Sequence, residues 1–398
     1  MSFPRDNEES TPLMDRPAAY ITRSSIFLPN APVENDRVEA ILGQVGERPS
    51  RARRIVQRSN GIRRRYYVID PATGEPNFTN ASLTAAAVRG LADRGFTLEE
   101  LACLVCGTSN PDQIMPNHAV MVHGELGSPV CEVAATAGVC VSGATALKYA
   151  WMSVLSGSAR NAVATGSEVA SLGLRAQNYT AEPADAPEAL ETRPELAFEK
   201  DFLRWMLSDG AGALLLEPAP RSGLNLRVEW IDIFSYAHEM PVCMYGGAKK
   251  LSDGALRSWM LYSASEREAN SVFALKQDVR LLNEAVIEHT LVKPLARVIA
   301  QRSLASADVD WFLPHYSSEY FRRPVAEGLT RAGLPIPQER WFTNLEQVGN
   351  VGSASIYIML DELLQSGRLE DGQRLLCWVP ESGRFSSGFI YLTAIRHA

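Results

Sequence analysis

The chain has 398 residues, 46% of them hydrophobic and 21% charged, which excludes disorder, collagen and coiled coil as its main architecture. At roughly 150 residues per domain this length makes two or three domain-sized units, or one large two-lobed fold. With 39 basic against 46 acidic side chains the formal net charge is −7, which argues against nucleic-acid binding driven by overall charge.

The opening MSFPRDNEESTPLMDRP is polar and acidic and lacks the apolar stretch of a signal peptide, so residues 1–17 read as a flexible tail. No later run approaches the roughly 18 consecutive apolar residues of a membrane helix. The expected setting is cytoplasmic, away from membranes. Short apolar runs then alternate with amphipathic stretches, the pattern of an α/β protein. Arg48, Arg51, Arg53, Arg54, Arg58, Arg63, Arg64 and Arg65 crowd one short segment with no acid after Glu47. Such a run is either a solvated face or a site for phosphate and carboxylate groups. Leu101–Val105 is expected to be a buried strand, followed closely by Cys106. Cys103 and Cys106 are three residues apart on it, which sends them to opposite faces; both read as core rather than as metal ligands.

Cys140 lies in Gly138-Val139-Cys140-Val141-Ser142-Gly143, a turn that opens a helix marked by Leu147, Ala150, Trp151, Val154 and Leu155 on one face. Amide dipoles at a helix start favour a thiolate, so this cysteine is either a nucleophile or a buried structural residue. Residues 176–204 break the rhythm with three prolines and seven acids, as a surface insertion or a lid over a pocket does. Strands are expected at Ala211–Leu216, Trp311–Leu313 and Leu375–Val379, and a helix over Ser353–Gln365 that stops at Gly367. His315 follows Pro314 at the carboxyl end of a strand, and Asn350 sits in Gly349-Asn350-Val351-Gly352 at a turn into a helix. Loops at strand ends are where α/β folds place catalytic groups, and Cys, His and Asn make a nucleophile with two hydrogen-bond donors. The stretches LEELACLVCGTSN and ASADVDWFLPHYSS match loosely, as do GVCVSGATAL and GNVGSASIYI. That pattern fits two similar halves joined near Pro218–Gly223, here divided as 18–220 and 221–398.

Taken in order, IFLPN, NGIRRRY, Leu126-Gly127, Cys140 with Ala146-Leu147, TGSE (Thr165–Glu168), SDGAGALLLE, DWFLPH, GNVGSAS with LDELL, and ESGRFSSG carry a resemblance. From about Tyr20 to Ile395 the chain resembles β-ketoacyl-acyl-carrier-protein synthase III and its thiolase-fold relatives. The resemblance implies an α/β fold, a thiolase-like five-layered αβαβα sandwich made of two related halves, assembled as a homodimer. It implies Cys140, His315 and Asn350 as catalytic triad, with the amides of Cys140 and Gly383 as oxyanion hole. Arg58 matches an arginine that binds the cofactor arm, Arg54 replaces a tryptophan that stacks on coenzyme A, and Met115 would approach the neighbouring subunit's acyl pocket. Substrates would be thioesters of acyl carrier protein or coenzyme A, with no metal or redox cofactor.

Four departures stand against a housekeeping initiating synthase, Arg54 in place of the stacking tryptophan being the first. His315 is followed by Tyr316-Ser317-Ser318 instead of Gln-Ala-Asn, the glycine-rich carboxyl-terminal loop is Ser382-Gly383-Arg384, and the 176–204 insertion is longer. FLPNAPVENDRVEAILG, RSNGIRRRYYVID and GVCVSGATALKYA look like the ketosynthase-cyclases of dialkylresorcinol and stilbene biosynthesis. That branch implies condensation of a β-ketoacyl thioester with an α,β-unsaturated acyl thioester to a cyclohexane-1,3-dione. The alternatives are an ordinary β-ketoacyl synthase using malonyl thioester and a non-catalytic thiolase-fold partner subunit.

Overall fold

Nine strands run through one continuous sheet in the computed structural model, which describes residues 17–45, 53–178 and 203–398. They are β1 (Tyr20–Phe27), β2 (Cys103–Thr108), β3 (Glu132–Ala137), β4 (Ala162–Glu168), β5 (Gly210–Glu217), β6 (Gly223–Ser235), β7 (Trp311–Pro314), β8 (Arg374–Glu381) and β9 (Ser386–His397). The spatial order is β7-β8-β9-β6-β1-β5-β4-β2-β3. Among the strands, the two halves of the sheet are joined where Tyr20 faces Arg227 and Ile21 faces Leu226, on β1 and β6.

Each half repeats one plan. In the first, β1–β5 and β5–β4 are antiparallel while β4–β2 and β2–β3 are parallel. In the second, β6–β9 and β9–β8 are antiparallel, β8–β7 is parallel, and a parallel bridge from Phe312 to Trp341 stands where β3 stands in the first. Strand for strand, β2 corresponds to β7, β4 to β8 and β5 to β9.

Helices complete the layers. Of these, α1 (Arg53–Asn60) lies beside the Glu319–Phe321 turn, with the Ser318 hydroxyl donating to the Ser59 carbonyl at 3.3 Å. On the outer face of the first half sit α2 (Asn80–Arg89) and α3 (His118–Leu126), where Leu83, Val88, Ala119 and Val122 pack on Leu104, Cys106, Val163 and Leu215. The middle layer is α4 (Val141–Leu155) and α8 (Ser355–Gln365), whose Ala144, Leu147, Ile356 and Leu360 share a core with Cys103, Leu214, Leu313 and Ile390. Over the outer face of the second half lie α5 (Val279–Ile287), α6 (Lys293–Arg302) and α7 (Arg322–Ala332), packed on Phe312, Leu376, Trp378 and Phe389. The result is the expected αβαβα sandwich of two related halves.

Sequence explains these elements locally. Strands covered on both faces need unbroken apolar runs rather than alternation, and Gly210–Glu217 (GAGALLLE) is such a run, buried to its last residue but one. The helix α2 begins with a capping box in which Thr79 and Ser82 exchange hydrogen bonds. On α4 the buried face is built from Gly143, Ala144, Ala146 and Ala150, small enough for a helix squeezed between two sheets. Cys103 and Cys106 face different cores, one in the middle layer and one in the outer layer. The strand that carries them begins at Cys103 rather than Leu101, because Leu98–Glu100 closes as a 3-10 turn whose last bond uses the Leu101 amide. The 1–17 tail, except Pro17, and most of the 176–204 insertion lie outside the described residues.

Candidate active site

Three chain turns converge where the halves face each other. The first follows β3. Gly138 holds φ +153°, a backbone that favours glycine, and the chain bends there into α4 with Cys140 as its N-cap. The second follows β7, where the His315 amide donates to the Trp378 carbonyl at 2.8 Å and extends the β7–β8 ladder past Pro314. The third precedes α8. There the Asn350 amide donates to the Met206 carbonyl and the Ser208 amide donates to the Asn350 carbonyl, both at 2.9 Å.

Cys140, His315 and Asn350 all line one cavity with an empty volume of about 860 Å³. His315 and Asn350 are buried, at 4% and 5% exposure. The remaining wall is largely apolar, with Met206, Leu282, Val286, Ile287, Phe321 and Trp378, and its polar groups include Ser109, Asn110, Glu168, Ser208, Gln277 and Ser382. An apolar cleft with a few convergent polar groups is the usual form of a site for acyl-bearing ligands. A second, more open cavity of about 1310 Å³ shares Ser109, Asn110, Val139, Ala170, Met244 and Leu275 with the first.

Chemistry follows from these surroundings. The Asn350 Oδ1 accepts the Gly352 amide at 3.0 Å, so its Nδ2 amino group is the donor left for a ligand. Burial pulls the His315 imidazole down to about 4, so at neutral pH the ring is uncharged, with one N–H to donate. For Cys140 the structure corrects the expectation of a resting thiolate. Burial comes first, then the carboxylates of Glu381 and Glu168, and together they push the thiol well above its ordinary value. Two amides of this turn that could have favoured the thiolate serve Glu381 instead: its Oε2 accepts Val139 N–H at 2.8 Å and Val141 N–H at 3.1 Å.

The other expected residues are distributed as follows. Gly383 stands in the turn between β8 and β9, and a Cβ there would lie 3.2 Å from Val139 Cγ2, so its backbone adjoins the Cys140 turn. That turn is closed by Phe385 at φ +58°, a costly conformation for a bulky residue, held by the Tyr236 amide on its carbonyl. Met115 is 79% exposed and lines neither cavity of its own chain, although its neighbour Ile114 lines the second. Arg58 is exposed on the last turn of α1. Arg54 lies on the same helix, but its side chain is outside the described residues, as are Arg48 and Arg51.

Part of the arginine run is matched by acidic partners. Arg53 pairs with Glu39 at 3.0 Å, Arg63 with Glu346 at 2.8 Å and Arg64 with Glu34 at 2.8 Å. Arg65 is fully buried and donates to the Trp205 carbonyl at 3.0 Å. Sequence reading had also passed over Glu381 and Gln277, whose Nε2 donates to the Ser382 hydroxyl at 2.8 Å. The one signal for Glu381 was its place beside the altered glycine loop. Among the described residues no cluster of His, Cys, Asp or Glu could hold a metal ion, and no helix is long and apolar enough to cross a membrane.

Comparison with known proteins agrees with this architecture. Residues 299–391 match the family model for the C-terminal part of 3-oxoacyl-[acyl-carrier-protein] synthase III. A β-ketoacyl-[acyl-carrier-protein] synthase III of Xanthomonas campestris pv. campestris is 25% identical over 378 residues, covering 94% of this chain and 97% of its own. Among solved structures, the tetronic acid condensing enzyme AbyA1 superposes with TM-score 0.71 at 21% identity, over 94% of this chain and 99% of that one. A cysteine-to-serine variant of Xanthomonas campestris OleA, solved with lauric acid and lauroyl-CoA, gives TM-score 0.72 at 17% identity, over 95% and 99%. The chain has the thiolase-like fold of the 3-oxoacyl-[acyl-carrier-protein] synthase III enzymes and is similar in sequence to members of that family over 94% of its length.

Proposed function

We propose that the chain is a condensing acyltransferase that joins two acyl thioesters by a carbon–carbon bond through an acyl group held on Cys140. The observation that carries this reading is the convergence of Cys140, His315 and Asn350 on one apolar cavity from three turns in two halves. Cys140 Sγ attacks a thioester carbonyl, expelling the carrier thiol. The amides of Cys140 and Gly383 take the oxyanion, a contribution of about 2.7–4 kcal/mol per donor in comparable sites. The second thioester then seats its carbonyl oxygen against neutral His315 and Asn350 Nδ2, which stabilise the enolate left when its α-carbon gives up a proton to water or, in a malonyl thioester, carbon dioxide. That enolate attacks the acyl-enzyme, and the Cys140 thiolate expelled in this step takes a proton back from water. Thioester activation supplies the driving force without a metal or redox cofactor.

Within this class we favour the cyclohexanedione-forming reaction, a β-ketoacyl thioester joined to an α,β-unsaturated one by a Michael addition and a Claisen condensation. What favours it is that the cavity lined by Cys140 adjoins a second one across the wall at Val139, so that two chains could be held side by side near this residue. A second reading, the decarboxylative synthase using malonyl thioester, is favoured by the name of the curated Xanthomonas relative. Acyl carrier protein or coenzyme A would deliver the substrates past α1 and Arg58. A second copy of the chain would cover exposed Ile114 and Met115 beside β3. Mass spectrometry of products from paired synthetic thioesters tests the choice. A cyclic dione that requires both the β-ketoacyl and the unsaturated partner supports the first reading; a linear β-ketoacyl thioester from malonyl and a saturated partner replaces it with the second.

A further inference from the structure

The two halves exchange carboxylates. Glu168 ends β4 and Glu381 ends β8, equivalent strands of the repeat. Each reaches across to the other half's helix entrance. Glu168 Oε1 accepts Ser353 N–H at 3.2 Å, at the entrance to α8, just after Asn350. Glu381 Oε2 accepts Val139 N–H at 2.8 Å and Val141 N–H at 3.1 Å, the amides on either side of Cys140. A helix of fifteen residues offers its first amides to an anion, and here the chain itself fills that place.

We propose that Glu381 is a positioning residue for the Cys140 nucleophile: its carboxylate ties the Cys140 turn to the Ser382–Gly383 loop and occupies the anion site the sulfur would otherwise use. The tie is short in chain terms. Glu381 is two residues from Gly383, so binding the amides of Val139 and Val141 fixes the spacing between the two amides assigned to the oxyanion hole. A Cβ at Gly138 would lie 3.3 Å from Glu381 Oε2, so the turn closes directly on the carboxylate. The same contact has an electrostatic consequence. The charged groups facing Cys140 are Glu381 from β8 and Glu168 from β4, with neutral His315 from the loop after β7. Like charge beside the sulfur disfavours the thiolate.

The inference rests on Cys140 as the nucleophile, but its test needs no condensation product. The pH dependence of Cys140 alkylation by iodoacetamide is followed by peptide mapping in the full chain, in wild type and Glu381→Gln. The carboxamide oxygen can still accept both amides while the charge is gone. The alkylation midpoint should fall by about one pH unit or more, the ordinary effect of removing an adjacent like charge. An unchanged midpoint overturns the proposal, because a merely structural residue would leave it in place. Should Glu381→Gln not fold, Glu381→Asp keeps the charge and withdraws it by one methylene. It should then keep the midpoint while acyl transfer from a small thioester slows at least tenfold; undiminished transfer overturns the proposal. Failure of wild-type Cys140 to accept an acyl group would instead refute the assignment of the nucleophile.

Discussion

The carbonyl of Asn350 accepts the Ser208 amide at 2.9 Å, a backbone contact that stitches the second half's catalytic turn to the first half's β5 approach. With Asn350 Oδ1 held by the Gly352 amide, the side chain is oriented before any ligand arrives. A preorganised donor costs no rearrangement at the moment of reaction. Replacing Asn350 or His315 by Ala should leave acyl loading of Cys140 intact and lower condensation by roughly 10²–10³-fold, the usual effect of one lost donor. The double variant should lose less than the product of the two, as for residues acting on one oxygen. Single-turnover acylation and product formation, measured separately, check this.

Acylation should occur on Cys140 alone. Burial pushes the Cys103 and Cys106 thiols up to about 12, and each faces a packed core. Cys131 is half-buried and lines neither cavity. Peptide mapping after incubation with an acyl thioester should find the adduct on Cys140; an adduct on Cys106 or Cys131 with Cys140 free would refute the mechanism.

His118 gives a stability prediction with a definite sign. Burial lowers its imidazole from 6.5 to about 4, between the hydroxyls of Thr84 at 3.3 Å and Ser167 at 3.1 Å. The unfolded chain therefore binds a proton that the folded chain refuses between those values, and stability drains as pH falls through that window. Buried Asp209, raised to about 6, works the other way over an overlapping range, so the comparison must isolate the histidine. The stability of wild type relative to His118→Gln should shrink as pH falls from 6.5 to 4 and be constant above 7. Denaturant unfolding across that range reads it; a constant difference would disprove it.

Gly166 on β4 is fixed by contact. A Cβ there would come within 2.3 Å of the Ser353 carbonyl oxygen, at the turn just after Asn350. Gly166→Ala should cost about 1–3 kcal/mol of stability, as overpacking of a close-packed interior does. It should depress condensation more than acylation, because the displaced turn carries Asn350 and not Cys140. Thermal unfolding and the two partial reactions test both halves of the statement.

Charge reversal at Arg54 and Arg58 should raise KM for carrier-bound substrate while self-acylation by small thioesters stays nearly unchanged, and the effect should fade with salt. Reversal at Arg64 should act differently, since its charge is matched by Glu34 at 2.8 Å. Equal losses for both substrate types at Arg58 would point to a structural role.

The parts of this architecture that one segment determines could be read from that segment. Unbroken apolar runs disclosed β5, β7 and β8. Cys140 and His315 were singled out because each follows a strand at a turn, and Asn350 because it stands in a glycine-flanked turn before a helix, all of them local patterns. What could not be read were partners distant in sequence. Glu381 meets the Cys140 turn across 240 and 242 positions, and nothing within ESGRFSSG reveals that its carboxylate caps a helix in the other half. The partners of Arg53, Arg63 and Arg64 were hidden for the same reason: Glu39, Glu346 and Glu34 lie outside the segment that was read. The thiolate expectation failed because helix-start amides were credited to the sulfur with no competing anion in view.

The glycine- and alanine-lined α4, wedged between both sheets, also decides where variation in this scaffold can be accommodated. A larger side chain at Gly143, whose Cβ would lie 2.2 Å from the Ser353 carbonyl oxygen, would prise the halves apart and carry Cys140 with it. The opposite wall is made of Leu282, Val286, Ile287 and Phe321, on α5 and the turn before α7, backed by the outer layer alone. Selection for a longer, shorter or aromatic acyl chain would therefore remodel that outer wall and leave the inner one untouched.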